Sequence, residues 1–139
     1  MYAIQSADKA KVHISKLIDS VANGLYSKSA QHEMAATTHA ASALLSLSNA
    51  EKKLALDFGE LKQKVEDTLY LKVSLHRDDL SAITDKLKNL VNGSVHELRK
   101  LLDGKDNEKA VTFILAELQD SLEAYTNTIN KLIGMWQHV

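Results

Sequence analysis

The chain has no cysteine, so any chemistry must come from histidine, arginine, the carboxylates and the hydroxyls. His32 and His39 are the most suggestive pair. Seven residues apart on a helix, they share a face about 10 Å from each other along the axis. Two ligands of one zinc ion on a helix come three or four residues apart, so this spacing does not suit a shared metal. A polar layer that fixes helix register is one reading, and contact with a small ligand is the other. From Ser29 to Ala43 the residues are mostly Ala, Ser and Thr. Such small side chains admit a closely packed second helix, from this chain or from a second subunit. Equally, Thr37, Thr38 and Ser42 offer hydroxyls to a polar ligand.

Arginine occurs only at Arg77 and Arg99. His96 precedes Arg99 by about one helical turn, and helix heights bring Arg99, His96, Thr112 and His39 within about two turns of one pole. Lys52, Lys53, Lys100, Lys105 and Lys109 crowd the same end. His39, Ser42, His96, Arg99 and Thr112 therefore form the candidate ligand site, with Arg99 as a bidentate clamp for a carboxylate. The competing reading is a solvated charged cap, because Asp103, Asp106 and Glu108 are interspersed. Other constellations are missing. There is no glycine-rich phosphate loop, no His-Glu-x-x-His and no Glu-x-x-His of the di-iron bundles. His32 and Glu33 are neighbours whose side chains point about 100° apart on a helix. We expect no catalytic residues, no metal, no cofactor and no enzyme.

These side chains need elements to hold them. In the last segment Val111, Leu115, Leu118, Leu122, Tyr125, Ile129, Leu132 and Trp136 alternate spacings of four and three, a heptad seam that predicts a helix over 107–137. Asp103-Gly104 closes the helix before it, with glycine suited to a left-handed C-terminal position. Leu87, Val91, Val95, Leu98 and Leu102 keep one phase through Asn92-Gly93, predicting a continuous helix over 78–102. Leu54, Phe58, Leu61, Val65 and Leu75 predict another over 50–74, with Asn49 as its cap and His76-Arg77-Asp78-Asp79 as the following turn. The alternating run Leu69-Tyr70-Leu71-Lys72-Val73 is discounted as a strand, since it has nothing to pair with. Ile14, Ile18, Val21 and Leu25 continue into a first helix over 5–47, in which Asn23-Gly24 is the one candidate break. No proline and only five glycines interrupt the 139 residues. The prediction is one all-α domain over 1–139, an antiparallel up-down-up-down four-helix bundle with long first and fourth helices. Both chain ends then project from one pole, and the 47–50 and 103–107 turns from the other. Trp136, with Ile133 and Met135, closes the core or points to a membrane interface.

Apolar residues at 45% and charged residues at 25% are ordinary for a globular protein. A formal charge of −1 gives no field to recruit nucleic acid, and 5% aromatics are too few for a base-stacking surface. No apolar run is long enough to span a bilayer. Met1-Tyr2-Ala3-Ile4-Gln5 has neither the charged start nor the apolar core of a signal peptide. The chain is thus either cytoplasmic or a domain taken from between membrane segments.

The layout of two long outer helices, two shorter inner ones and both ends at one pole resembles the periplasmic four-helix-bundle sensor domain of bacterial methyl-accepting chemotaxis receptors. Leu101-Leu102-Asp103-Gly104-Lys105-Asp106-Asn107-Glu108-Lys109-Ala110 is similar to the turn into that family's last helix. The resemblance implies an inner-membrane receptor with this domain in the periplasm and membrane segments outside residues 1–139. It further implies a homodimer packed through the first helix, a small-molecule site near the membrane-distal pole, and a piston-like shift down the last helix. The family's aspartate-binding members carry arginines on the first helix, and this first helix has none. The alternative is a cytoplasmic helical-bundle adaptor or structural protein that binds a partner helix.

Overall fold

The computed structural model describes residues 1–138 and contains four helices: α1 Ala3–Ser27, α2 Ala30–Lys64, α3 Asp67–Leu102 and α4 Glu108–Trp136. They form an antiparallel up-down-up-down bundle, and among the described residues there is no strand. Cross-helix bonds register each neighbouring pair. The start of α1 meets Asp57 near the end of α2, and Glu33 at the start of α2 meets Arg99 at the end of α3. Asn107, just before α4, bonds Glu97 near the end of α3. Both chain ends lie at one pole, where Met1 and Ile4 line a groove with Ile133 and Trp136.

The lengths differ from the expectation. At 35 and 36 residues α2 and α3 are the long helices, against 25 for α1 and 29 for α4. The helix expected over 5–47 ends at Ser27. Lys28 adopts a left-handed conformation (φ 50°), its N–H bonding Gly24 O at 2.9 Å, and Ser29 opens α2 by accepting from the Gln31 N–H at 3.3 Å. Gly24 is no breaker. It stays helical because Leu98 packs against it, and a Cβ there would lie 2.8 Å from Leu98 Cδ1.

The turns expected at 47–50 and 76–79 are both helical. Buried Ala43, Leu47, Ala50 and Leu54 carry one apolar stripe through Asn49, and buried Val73, Leu80, Thr84 and Leu87 carry another through Asp78-Asp79. Unbroken burial outweighs the capping preference of the polar residues on the outer side. The real reversal is at Val65–Glu66, both in extended conformation, and residues 69–73 are helical. Asn92-Gly93 stays within α3, Gly104 takes a positive φ of 90°, and α4 matches its predicted span to within a residue.

The closest pairing in the bundle is α1 with α2. Ala3, Ala10, Leu17 and Gly24 recur every seven residues on α1, and Ala36, Ala43 and Ala50 do so on α2; all are buried. With alanine or glycine at every one of these positions but Leu17, the two backbones can approach closely. The Ala-rich stretch thus has an internal partner on its inner face. Beyond Asp57 the α2–α3 hairpin overhangs the start of α1. There Phe58 packs edge-on to Tyr70 at 6.2 Å and against Trp136 at 5.3 Å, so Trp136 closes the core.

Candidate functional site

Arg99, the expected clamp, is held by its own chain. Its Nε–H donates to Glu33 Oε1 at 2.6 Å and its Nη2–H to Thr37 Oγ1 at 3.2 Å. Glu33 reaches it because both stand in end turns of antiparallel neighbours. His96 lies beside Arg99 in a shallow groove between α2 and α3, with Thr37 and Asn92. His39 and Ser42, both half-buried on α2, do not line that groove, and neither does Thr112. Thr112 is exposed on α4 and donates its hydroxyl to Glu108 O at 2.9 Å. Of the five expected residues the structure brings together only His96 and Arg99.

The charges at this pole are largely compensated. Lys28 pairs with Glu108 at 3.2 Å and Lys100 with Glu97 at 3.5 Å. The Asn107 amide donates to both the backbone oxygen and the carboxylate of Glu97, at 2.8 and 2.7 Å. That hydrogen bond, aided by Lys100, holds the Glu97 carboxyl below its ordinary range. His32 packs beside α1, its Cβ 3.5 Å from where a Cβ on Gly24 would stand, so it serves the α1–α2 contact.

A better-enclosed site lies toward the other pole. All four helices line a cavity of about 80 Å³. Ala3 of α1 and Glu51 of α2 contribute to it, with Arg77 and Ser81 of α3 and Tyr125 of α4. Leu80 and Ile129 supply apolar wall. On the α1 side the wall is Ala3 alone, and its small side chain leaves the space between α2, α3 and α4 open. Arg77 is half-buried with its guanidinium 4.9 Å from the centre of the Phe58 ring, a cation–π contact that holds the side chain without neutralising it. Glu51 bonds Lys88 on α3, and no ion pair joins it to Arg77 among the described residues. Thr84 spends its hydroxyl on Leu80 O at 2.8 Å. Burial raises the Tyr125 hydroxyl well above its usual pKa, with Glu51 and Asp8 adding to the effect, so it is a neutral donor.

Chemically the cavity offers one cation, one anion and hydroxyls in a partly apolar enclosure. That suits binding a small polar molecule of a few heavy atoms. Sequence reasoning passed over these residues for a definite reason. Arg77 and Ser81 were assigned to a turn or its edge, and Glu51 to a helix start, so they had no common face. The one usable signal was Tyr125, a hydroxyl within the apolar seam of α4.

Among the described residues no group of three or more His, Asp or Glu is placed to hold a metal ion, and no helix is long and apolar enough to cross a membrane. No protein-family model matches the chain, and no curated protein or solved structure matches it.

Proposed function

We propose that the chain is a small-ligand sensor module, used as the extracytoplasmic domain of a chemotaxis-type receptor in a bacterial inner membrane. The observation that carries this reading is the four-helix cavity with Arg77 and Tyr125 at one level of the bundle. A short carboxylate would take the Arg77 guanidinium and the Tyr125 and Ser81 hydroxyls. The site stands near the pole from which both chain ends emerge. From Tyr125 and Ile129 the helix α4 runs unbroken to Trp136, so a shift at the cavity is passed along a stiff rod. The carboxylate clamp is accordingly assigned to Arg77, since Arg99 already holds Glu33.

A thermal-shift screen of short carboxylates and amino acids tests the proposal. We expect a raised melting temperature with at least one ligand, because binding to the native state alone stabilises it by mass action. Arg77→Ala should abolish that shift and Arg99→Ala should preserve it. No shift at millimolar concentrations would defeat direct sensing, and loss on Arg99→Ala alone would move the site to the α2–α3 groove. A cytoplasmic adaptor is the second reading, favoured by the exposed apolar side chains of α2.

A further inference from the structure

The charged and apolar parts of the four-helix cavity are segregated. Ala3, Leu54, Leu80, Tyr125 and Ile129 are buried, whereas Glu51 and Arg77 are half-buried and Ser81 is exposed. The cavity therefore opens between α2 and α3, with both of its charges at the mouth and alkyl side chains on its floor. Among the described residues no hydrogen bond engages the hydroxyl of Tyr125 or Ser81, and no ion pair engages Arg77. Tyr125 is only 1% exposed, and a buried hydroxyl without a partner is unfavourable unless something in the cavity accepts from it.

Donor counting selects the head of the ligand. An ionised carboxylate has about four lone-pair sites and no proton to give. The Arg77 fork supplies two hydrogen bonds, and the Tyr125 and Ser81 hydroxyls supply one each. One carboxylate takes up all of these, so the rest of the ligand meets alkyl wall. Glu51 does not change this selection, because Lys88 already holds it. A ligand ammonium placed on Glu51 would stand beside the Lys88 ammonium, and one turned to the floor would have no anion to pair with. Arg77, Lys88 and Glu51 together carry one excess positive charge, which matches one carboxylate and leaves a second unmatched. Size sets the tail. An apolar cavity of about 150 Å³ admits the six carbons of benzene, so about 80 Å³ holds roughly three or four heavy atoms. That fits acetate and, with its oxygens in the mouth, propionate. We infer that the cavity selects short alkyl monocarboxylates and rejects amino acids and dicarboxylates, an assignment that rests on the sensor reading of this same cavity.

Propionate and glycine are the decisive pair, because they differ only in a methyl group against an ammonium. Chemical-shift titrations of the isotope-labelled chain at constant ionic strength, each compound carried to about 10 mM, should show propionate binding about tenfold or more tighter than glycine. The largest changes should fall at Arg77, Ser81 and Tyr125, and malonate, with its second carboxylate, should leave those signals unmoved. Lys88→Met releases Glu51, so in that variant glycine should gain affinity and propionate should lose it. Cooperative thermal unfolding checks that the variant is folded, and the comparison in the parent chain stands without it. Glycine binding as tightly as propionate, with both lost in Arg77→Ala, keeps the small-ligand site and overturns the monocarboxylate selection. A folded Lys88→Met variant with the parent's preference overturns the charge argument on which that selection rests. Failure of every compound to move the cavity signals defeats the site itself, and the inference with it.

Discussion

Asp57 is the side chain on which the start of α1 depends. It is 2% exposed, and its two oxygens accept the Tyr2 N–H at 2.6 Å and the Ala3 N–H at 3.0 Å. Tyr2, at the N-cap position, offers no capping side chain of its own. A carboxylate from α2 therefore satisfies two of the orphan donors of α1 and complements the positive end of its dipole. Removing it leaves the buried Ala3 amide and the part-buried Tyr2 amide without their partner. Asp57→Ala should cost about 2–3 kcal/mol, and Asp57→Asn, which keeps an acceptor but loses the charge, about 1 kcal/mol. Urea unfolding with an unchanged m value measures both, and equal losses would show that charge is irrelevant to the cap. Nothing local in the sequence announces this contact, since Asp57 lies within a helical seam far from residue 2. The cavity was hidden in the same way. Arg77, Ser81 and Glu51 acquire a common site only once α2 and α3 pass straight through positions that look like turns. Arg99 was legible as a special arginine, but its carboxylate is Glu33, a residue whose alignment depends on where α2 begins.

At the scale of the helices, the decisive event is the α1–α2 reversal. Lys28 bears the left-handed conformation there, a geometry that disfavours any residue with a Cβ and suits glycine. Its ion pair with Glu108 is more than half exposed at both partners and contributes little. Lys28→Gly should therefore stabilise the protein by about 0.5–1 kcal/mol, read as a rise of a few degrees in the thermal midpoint. A fall would show that the turn relies on the lysine side chain. This position also explains why the first two boundaries were not legible. With lysine in place of the expected glycine, the true break carries no marker but Ser29, while Asn23-Gly24 and Asn49 advertise breaks that burial overrides. Where breaker and burial agree, as at Asp103-Gly104, the boundary was legible to the residue. Helix number, antiparallel order and the buried faces of α3 and α4 followed from apolar spacing, because that pattern is what packing itself reads.

For the molecule as a whole, a net charge of −1 means that little self-repulsion opposes folding near neutral pH, so alkaline weakness must come from particular groups. Tyr125 is the clearest of them. It is almost wholly buried, and ionising it would place an anion in the interior near Glu51 and Asp8, so its pKa is raised well above the ordinary 10.0. Tyr2 is raised too, first by the hydrogen bond it donates to Glu60, but it is exposed and its share is smaller. For a group whose pKa is higher folded than unfolded, the contribution to stability is complete below the unfolded value. It is lost as the pH climbs past that value, because only the unfolded chain then releases the proton. Stability should accordingly hold to about pH 10 and then decline, with Tyr125 adding up to about 1.4 kcal/mol per pH unit to the slope. Tyr125→Phe removes the proton without removing the ring. Comparing urea unfolding of the two proteins between about pH 9 and pH 11 cancels the lysines common to both. The variant should lose stability less steeply above pH 10, and its alkaline absorbance titration should lack the phenolate step that coincides with unfolding in the parent. Parallel stability curves would show that the Tyr125 hydroxyl reaches solvent through the cavity, and the enclosed donor on which the ligand reading depends would be lost with it.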